Sequence, residues 1–206
     1  MRKQSVPGVR VIALSEHVDY WNQLGWSDPF SSSAFTRRQN EFGGALHVEA
    51  YTPQLVVDGR AAVVGSDRAA VITAIRKAAV EKKAELQLTW AAGAGRDLQV
   101  TVPAAPMLAD SRVFLAITED RLSNQVKRGE NAGKELHHDA VTRRLTVLGS
   151  TDATGAFSRL MPVGPLLNAQ WKVDAMHVVV FVQNAKGIVL AVATNNLAPT
   201  TDGTMK

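Results

Sequence analysis

The hydrophobic pattern of this chain changes period once, around Lys82, Lys83 and Ala84, and that change limits what either side can fold into. Upstream, Val71, Ile72, Ile75, Ala78 and Ala79 recur at helical spacing, with Arg68, Arg76, Lys77 and Glu81 outside the stripe. Downstream, residues 85–90 alternate between polar and apolar, and parts of 98–102 do the same. A helical period cannot line a sheet face, and strict alternation cannot line one side of a helix. The break therefore predicts an α/β domain over residues 1–83 followed by an all-β domain over residues 84–206.

Within the first part, residues 9–14 form a short β-branched run that reads as a strand buried on both faces. Residues 15–30 are dense in aromatics and carry turn chemistry at Gly25, Asp28 and Pro29. Ser31, Ser32 and Ser33 offer N-cap hydroxyls to a helix running through Phe35, Phe42 and Leu46. The apolar runs 54–57 and 61–64 flank Asp58 and Gly59, a pair suited to positive φ in a hairpin turn. Ser66 or Asp67 then caps the helix that holds the Val71 to Ala79 stripe. In the second part, residues 112–117 and 141–147 read as strands, and 177–182 with 188–192 form a hairpin across Asn184 and Gly187. Short strands parted by Gly, Pro and Asn turns predict a β-sandwich of immunoglobulin-like type.

Composition removes several functional classes. The 206 residues include no cysteine, which excludes disulfides, thiolate metal sites and a cysteine nucleophile in this polypeptide. The net charge of +4 is carried on scattered pairs, Arg37 with Arg38, Arg76 with Lys77, Lys82 with Lys83 and Arg143 with Arg144, with acidic residues between. A nucleic-acid-binding face gathers such residues on one stripe with aromatics, so no nucleic acid partner is expected. No apolar stretch is long enough for a membrane span. Ser66 lacks the frame of a nucleophile elbow, and Gly93 with Gly95 makes a turn rather than a dinucleotide fingerprint. Glu130, Asn131, His137, His138 and Asp139 are possible metal ligands by type, yet neighbouring His137 and His138 point to opposite faces of a strand. Neither a metal nor a cofactor is expected.

Five strings carry a more specific signal: His17-Val-Asp-Tyr-Trp21, Leu24-Gly-Trp26, Asp28-Pro-Phe30, Tyr51-Thr-Pro-Gln54 with Val57-Asp-Gly59, and Gly129-Glu-Asn-Ala-Gly133. Together they resemble a family of uncharacterised bacterial proteins, usually secreted or periplasmic, that join a thioredoxin-like domain to a C-terminal β-sandwich. The resemblance implies an incomplete thioredoxin-like domain here. Members begin with a signal peptide and a strand ending in Cys-x-x-Cys, whereas Met1 falls where the tail of the following helix belongs. The implied missing strand sits between residues 9–14 and 54–57. Three arrangements answer such a gap: the native protein is longer, the flanking strands close up, or another segment fills the slot, from this chain or a second copy.

The resemblance also implies a ligand groove at Thr52 and Pro53, where a cis-proline turns the chain toward an extended peptide. His17, Asp19, Tyr20, Trp21 and Trp26 form the second cluster assigned to that groove, with a packed aromatic loop as the structural reading of the same residues. No catalytic residue is assigned. The expected function is a redox-inactive module that binds a peptide or protein or serves structure, and the alternative is a truncated thiol–disulfide oxidoreductase. The resemblance implies a periplasmic or secreted protein, and a true start at Met1, which lacks a secretory signal, implies a cytoplasmic one. An open sheet edge makes self-association an expectation as well.

Overall fold

The computed structural model describes residues 6–92, 96–126 and 132–197, so Glu130, Asn131 and the Gly93 to Gly95 turn lie outside the described residues. The order is α1 (Ser33–Leu46), β1 (Gln54–Val57), β2 (Ala61–Val64), α2 (Arg68–Ala79), β3 (Gln87–Trp90), β4 (Asp97–Val102), β5 (Arg112–Glu119), β6 (Leu122–Gln125), β7 (Glu135–His138), β8 (Val141–Ser150), β9 (Phe157–Pro162), β10 (Met176–Gln183) and β11 (Val189–Asn196). Among the described residues the strands fall into four small sheets: β1-β2, β11-β10-β5-β8, β3-β4-β9 and β6-β7.

This arrangement corrects the expected fold class. An incomplete thioredoxin-like domain followed by an immunoglobulin-like sandwich requires residues 9–14 to be a strand in a mixed sheet. Among the described residues they join no ladder, and Ser15 just beyond them bridges Val141. Among the described residues the first part of the chain therefore contributes one two-stranded hairpin, two α-helices and a 3₁₀ turn, and the molecule is mostly β-strand in several small sheets. The run predicts a strand buried on both faces, whereas Val9, Val11, Ile12 and Leu14 are half-buried, Arg10 and Ala13 are exposed, and the segment belongs to none of the described sheets. Burial of alternate side chains does not require a neighbour on the edge.

Local chemistry explains the elements that form. The Ser32 side chain accepts from the Ala34 amide at the start of α1, and Asp67 does the same for Ala70 at the start of α2. Gly59 at φ +65° and Asp58 at φ +52° close the β1–β2 turn, as that dipeptide requires.

The principal core lies between the three- and four-stranded sheets. Leu98, Val100 and Val102 of β4 meet Val113, Leu115 and Ile117 of β5 and Val178, Val180 and Val182 of β10. β5 and β10 are buried on their second faces too, where Phe114, Ala116, Val179 and Phe181 form a smaller cluster. Ile12 and Leu14 cover that cluster, while Ala13 between them is exposed. Residues 9–14 are thus held by side-chain packing against the four-stranded sheet. That placement stands them away from β1 and creates the site.

Candidate functional site

Between residues 9–14 and β1 lies a cavity of about 1090 Å³, slightly above the ~300–1,000 Å³ usual for ligand pockets. Phe35 and Phe42 of α1, Ile75, Ala78 and Ala79 of α2, and Val179 and Phe181 of β10 contribute its apolar surface. One wall is the outer edge of β1. Pro53 and Val57 turn their carbonyls to the hairpin partner, accepting from Gly65 and Arg60. Antiparallel strands alternate, so Gln54 and Val56 direct their N–H and C=O groups the other way, toward the cavity. Among the described strands β1 pairs with β2 alone. The flanking segments have not closed up on one another.

The slot is closed at one end. The Asp58 carbonyl accepts from the Val189 amide, and the Asp58 carboxylate holds Lys83 Nζ at 2.7 Å. A Cβ on Gly59 would lie 1.8 Å from the Gly187 carbonyl oxygen, so the β1–β2 turn is pressed directly onto the β10–β11 turn. At the other end stand Thr52 and Pro53, joined by a cis peptide bond. Trp21 Nε1 donates to Thr52 Oγ1 at 3.1 Å, which ties the aromatic loop to that end.

Charge enters the slot as a neutralised pair. Arg38 donates from Nε to Glu16 Oε1 at 3.2 Å and from a second nitrogen to Gln183 Oε1, while its guanidinium lies over Phe42, Phe114 and Phe181. Burial holds the Glu16 carboxyl above the usual carboxylate range, with Arg38 offsetting part of that effect. One arginine thereby fastens α1, the slot floor and the four-stranded sheet together.

The sequence-assigned residues divide. Thr52 and Pro53 line the slot, and Trp21 reaches it through Thr52. Tyr20 donates to Gln39 Oε1, and Gln39, which lines the slot, in turn donates to Gln54 Oε1 and the Tyr51 carbonyl, so Tyr20 braces β1 through Gln39. Asp19 accepts from Thr36 Oγ1 at 2.6 Å and fixes the loop to α1. Trp26 is half-buried in the same loop and does not line the slot. His17 faces elsewhere.

His17 belongs to a second cluster that the sequence did not connect. Its Nδ1 lies 2.6 Å from Asp28 Oδ2, and its ring stands edge-on to His138 of β7, centroids 5.1 Å apart. Phe30 packs against both rings, and Arg143 lies over Phe30. Strand alternation turns His138 inward, where it pairs with Asn124 Oδ1 at 3.1 Å, and leaves His137 exposed. Burial lowers the His138 pKa, and His17 lowers it further against the opposing pull of Asp28. Burial works against Asp28 ionising, but the His17 contact and the Phe30 amide outweigh it and hold that carboxyl below its usual range. No trio of His, Asp or Glu among the described residues is arranged to hold a metal ion.

A family model described as "Protein of unknown function (DUF1223)" matches residues 1–183. The chain is similar to a crystal structure of an Agrobacterium tumefaciens protein, a structural-genomics target, with TM-score 0.71 and 23% identity over 91% of this chain and 81% of that one. It is also similar to HBP35 of Porphyromonas gingivalis, with TM-score 0.53 and 13% identity over 84% of this chain and 62% of that one. At these identities the likeness is one of fold. No curated protein matches the chain.

Proposed function

The chain belongs to the DUF1223 family, proteins of unknown function, and we propose on that footing that it works as a binding module for an extended polypeptide segment. The segment enters the slot as an added strand on β1, its backbone paired with Gln54 and Val56 and its apolar side chains among Phe35, Phe42, Ile75 and Ala78. The observation that carries this reading is the outward edge of β1, which runs along an apolar cavity. A backbone polar group kept dry without a partner costs about 1–3 kcal/mol, so a strand that satisfies these groups gains by pairing as well as by apolar burial. A rigid small molecule would bury the side chains but leave the edge unmet. Among the described residues no helix is long and apolar enough to cross a membrane, and no membrane role is assigned.

The test is calorimetric titration with a lysine-flanked Val-Thr-Val-Thr-Val peptide and with two versions N-methylated on alternate amides. Saturable binding is expected for the parent and for one methylated set, and loss for the set whose amides face β1. Val56→Pro removes the N–H aimed at the slot while sparing the β1–β2 ladder, and binding should weaken by at least about tenfold with unchanged circular dichroism. The reading is overturned if the parent peptide does not bind, or if both methylated sets bind as well as the parent.

A further inference from the structure

We infer that Trp21 and Leu24 form the outer part of the same interface: a partner whose strand fills the slot continues past Pro53 and lays an apolar side chain on them. This inference rests on the strand-addition reading. Three features lead to it. The slot is blocked at Asp58 by β11 and by Lys83, so a segment longer than β1 can overhang only at the Pro53 end. β1 spans four residues, or about 13 Å at the ~3.3 Å rise of a strand, so ordinary peptide segments exceed it.

Beyond Pro53 stands the loop. Trp21 is 51% exposed and Leu24 63% exposed, separated by one 3₁₀ turn over Asn22–Leu24. Two large apolar residues at one loop tip are more than scattered surface requires, and tryptophan is prominent among residues that dominate binding energy. Their position is fixed. Trp21 is bonded to Thr52 and its ring tilts against Tyr20 with centroids 5.1 Å apart, while Asn22 bonds Ser31 and the Asp28 amide. An exposed tryptophan held in place loses little entropy when a partner covers it. The partner chemistry is therefore an extended segment whose flank carries a bulky apolar side chain just outside the strand that pairs with β1.

The experiment compares three peptides: the lysine-flanked Val-Thr-Val-Thr-Val core, the core extended at its N-terminus by Leu-Phe, and the core extended likewise at its C-terminus. One extended peptide should bind about tenfold tighter than the core, because one chain direction places its flank at Pro53. In Leu24→Ser that advantage should vanish while affinity for the core stays unchanged, and Trp21→Ala, which also releases Thr52, should bind the extended and core peptides alike. The inference is overturned if both extended peptides match the core, or if the advantage survives both substitutions. Failure of the core itself to bind would overturn the strand-addition reading and this one with it; binding of the core alone overturns only this one.

Discussion

His138 is the residue at which the aromatic loop meets the β6–β7 hairpin. Its ring touches His17 and Phe30, and Asp28, His137 and Arg143 are the charged or titratable groups around that contact. The folded surroundings depress its pKa below the ordinary ~6.5, with burial the larger cause and His17 the second. The unfolded chain therefore takes up the proton first. The stabilisation is complete above about pH 6.5 and is lost as pH falls through the lower folded value. Urea midpoints measured between pH 7.5 and 5 should decline, and His138→Gln should flatten that decline. An unchanged slope in the variant would assign the pH dependence to another group. Little of this contact was legible in the sequence, because His17 and His138 stand far apart in the chain and nothing in their spacing pairs them. His138 suggested a ligand by type. The alternation of β7 turns it inward and His137 outward, which leaves the two unable to share an ion.

At the scale of elements, the β1–β2 turn is the most tightly constrained piece of backbone. Gly59 combines φ +65° with a space in which any Cβ would strike the Gly187 carbonyl. Gly59→Ala should cost about 2 kcal/mol or more, read as a lower urea midpoint at constant m-value, because both strain and displacement of the neighbouring turn are required. Asp58 and Gly59 announced this hairpin from sequence, and α1, α2, β5 and the β10–β11 pair lie where their periodicity and caps predicted. β6 and β9 are not foreseen in the sequence, and β7 is foreseen only as the strand that carries His137 and His138. Their sequences mix polar and apolar residues; β9 finds its partner far along the chain on β4, and β6 and β7 pair with each other. Residues 9–14 were read as a strand because composition reports burial and not pairing. Their Ile12 and Leu14 answer to Phe114 and Phe181, residues about a hundred or more positions away whose proximity no local pattern encodes. The slot was not legible in the sequence: its closed end depends on Val189 and Gly187, and its bracing on Tyr20 and Gln39, contacts that no local pattern encodes.

For the whole molecule, the slot and the β-rich core share elements, so filling one should stabilise the other. Arg38 links α1 to Gln183 and to the Phe114–Phe181 stack, and Lys83 ties the β1–β2 turn to the chain entering β3. A peptide at a hundredfold excess over its Kd stabilises the folded state by about 2.7 kcal/mol. For a chain of this size that corresponds to a rise in Tm of roughly 5–10 °C. Val56→Pro should lose most of the rise. A peptide that binds in calorimetry without moving the melting transition would place binding outside the slot.

The contact between Gly59 and Gly187 also sets the topology of any guest. A channel stoppered on one side receives a terminus without disturbance: a tail slides in until its tip meets the stopper. The middle of a chain flanked by folded bodies cannot thread a slot shut at Asp58, so the proposed guest is a free end. A tail-first guest seats without moving the β1–β2 turn off the β10–β11 turn.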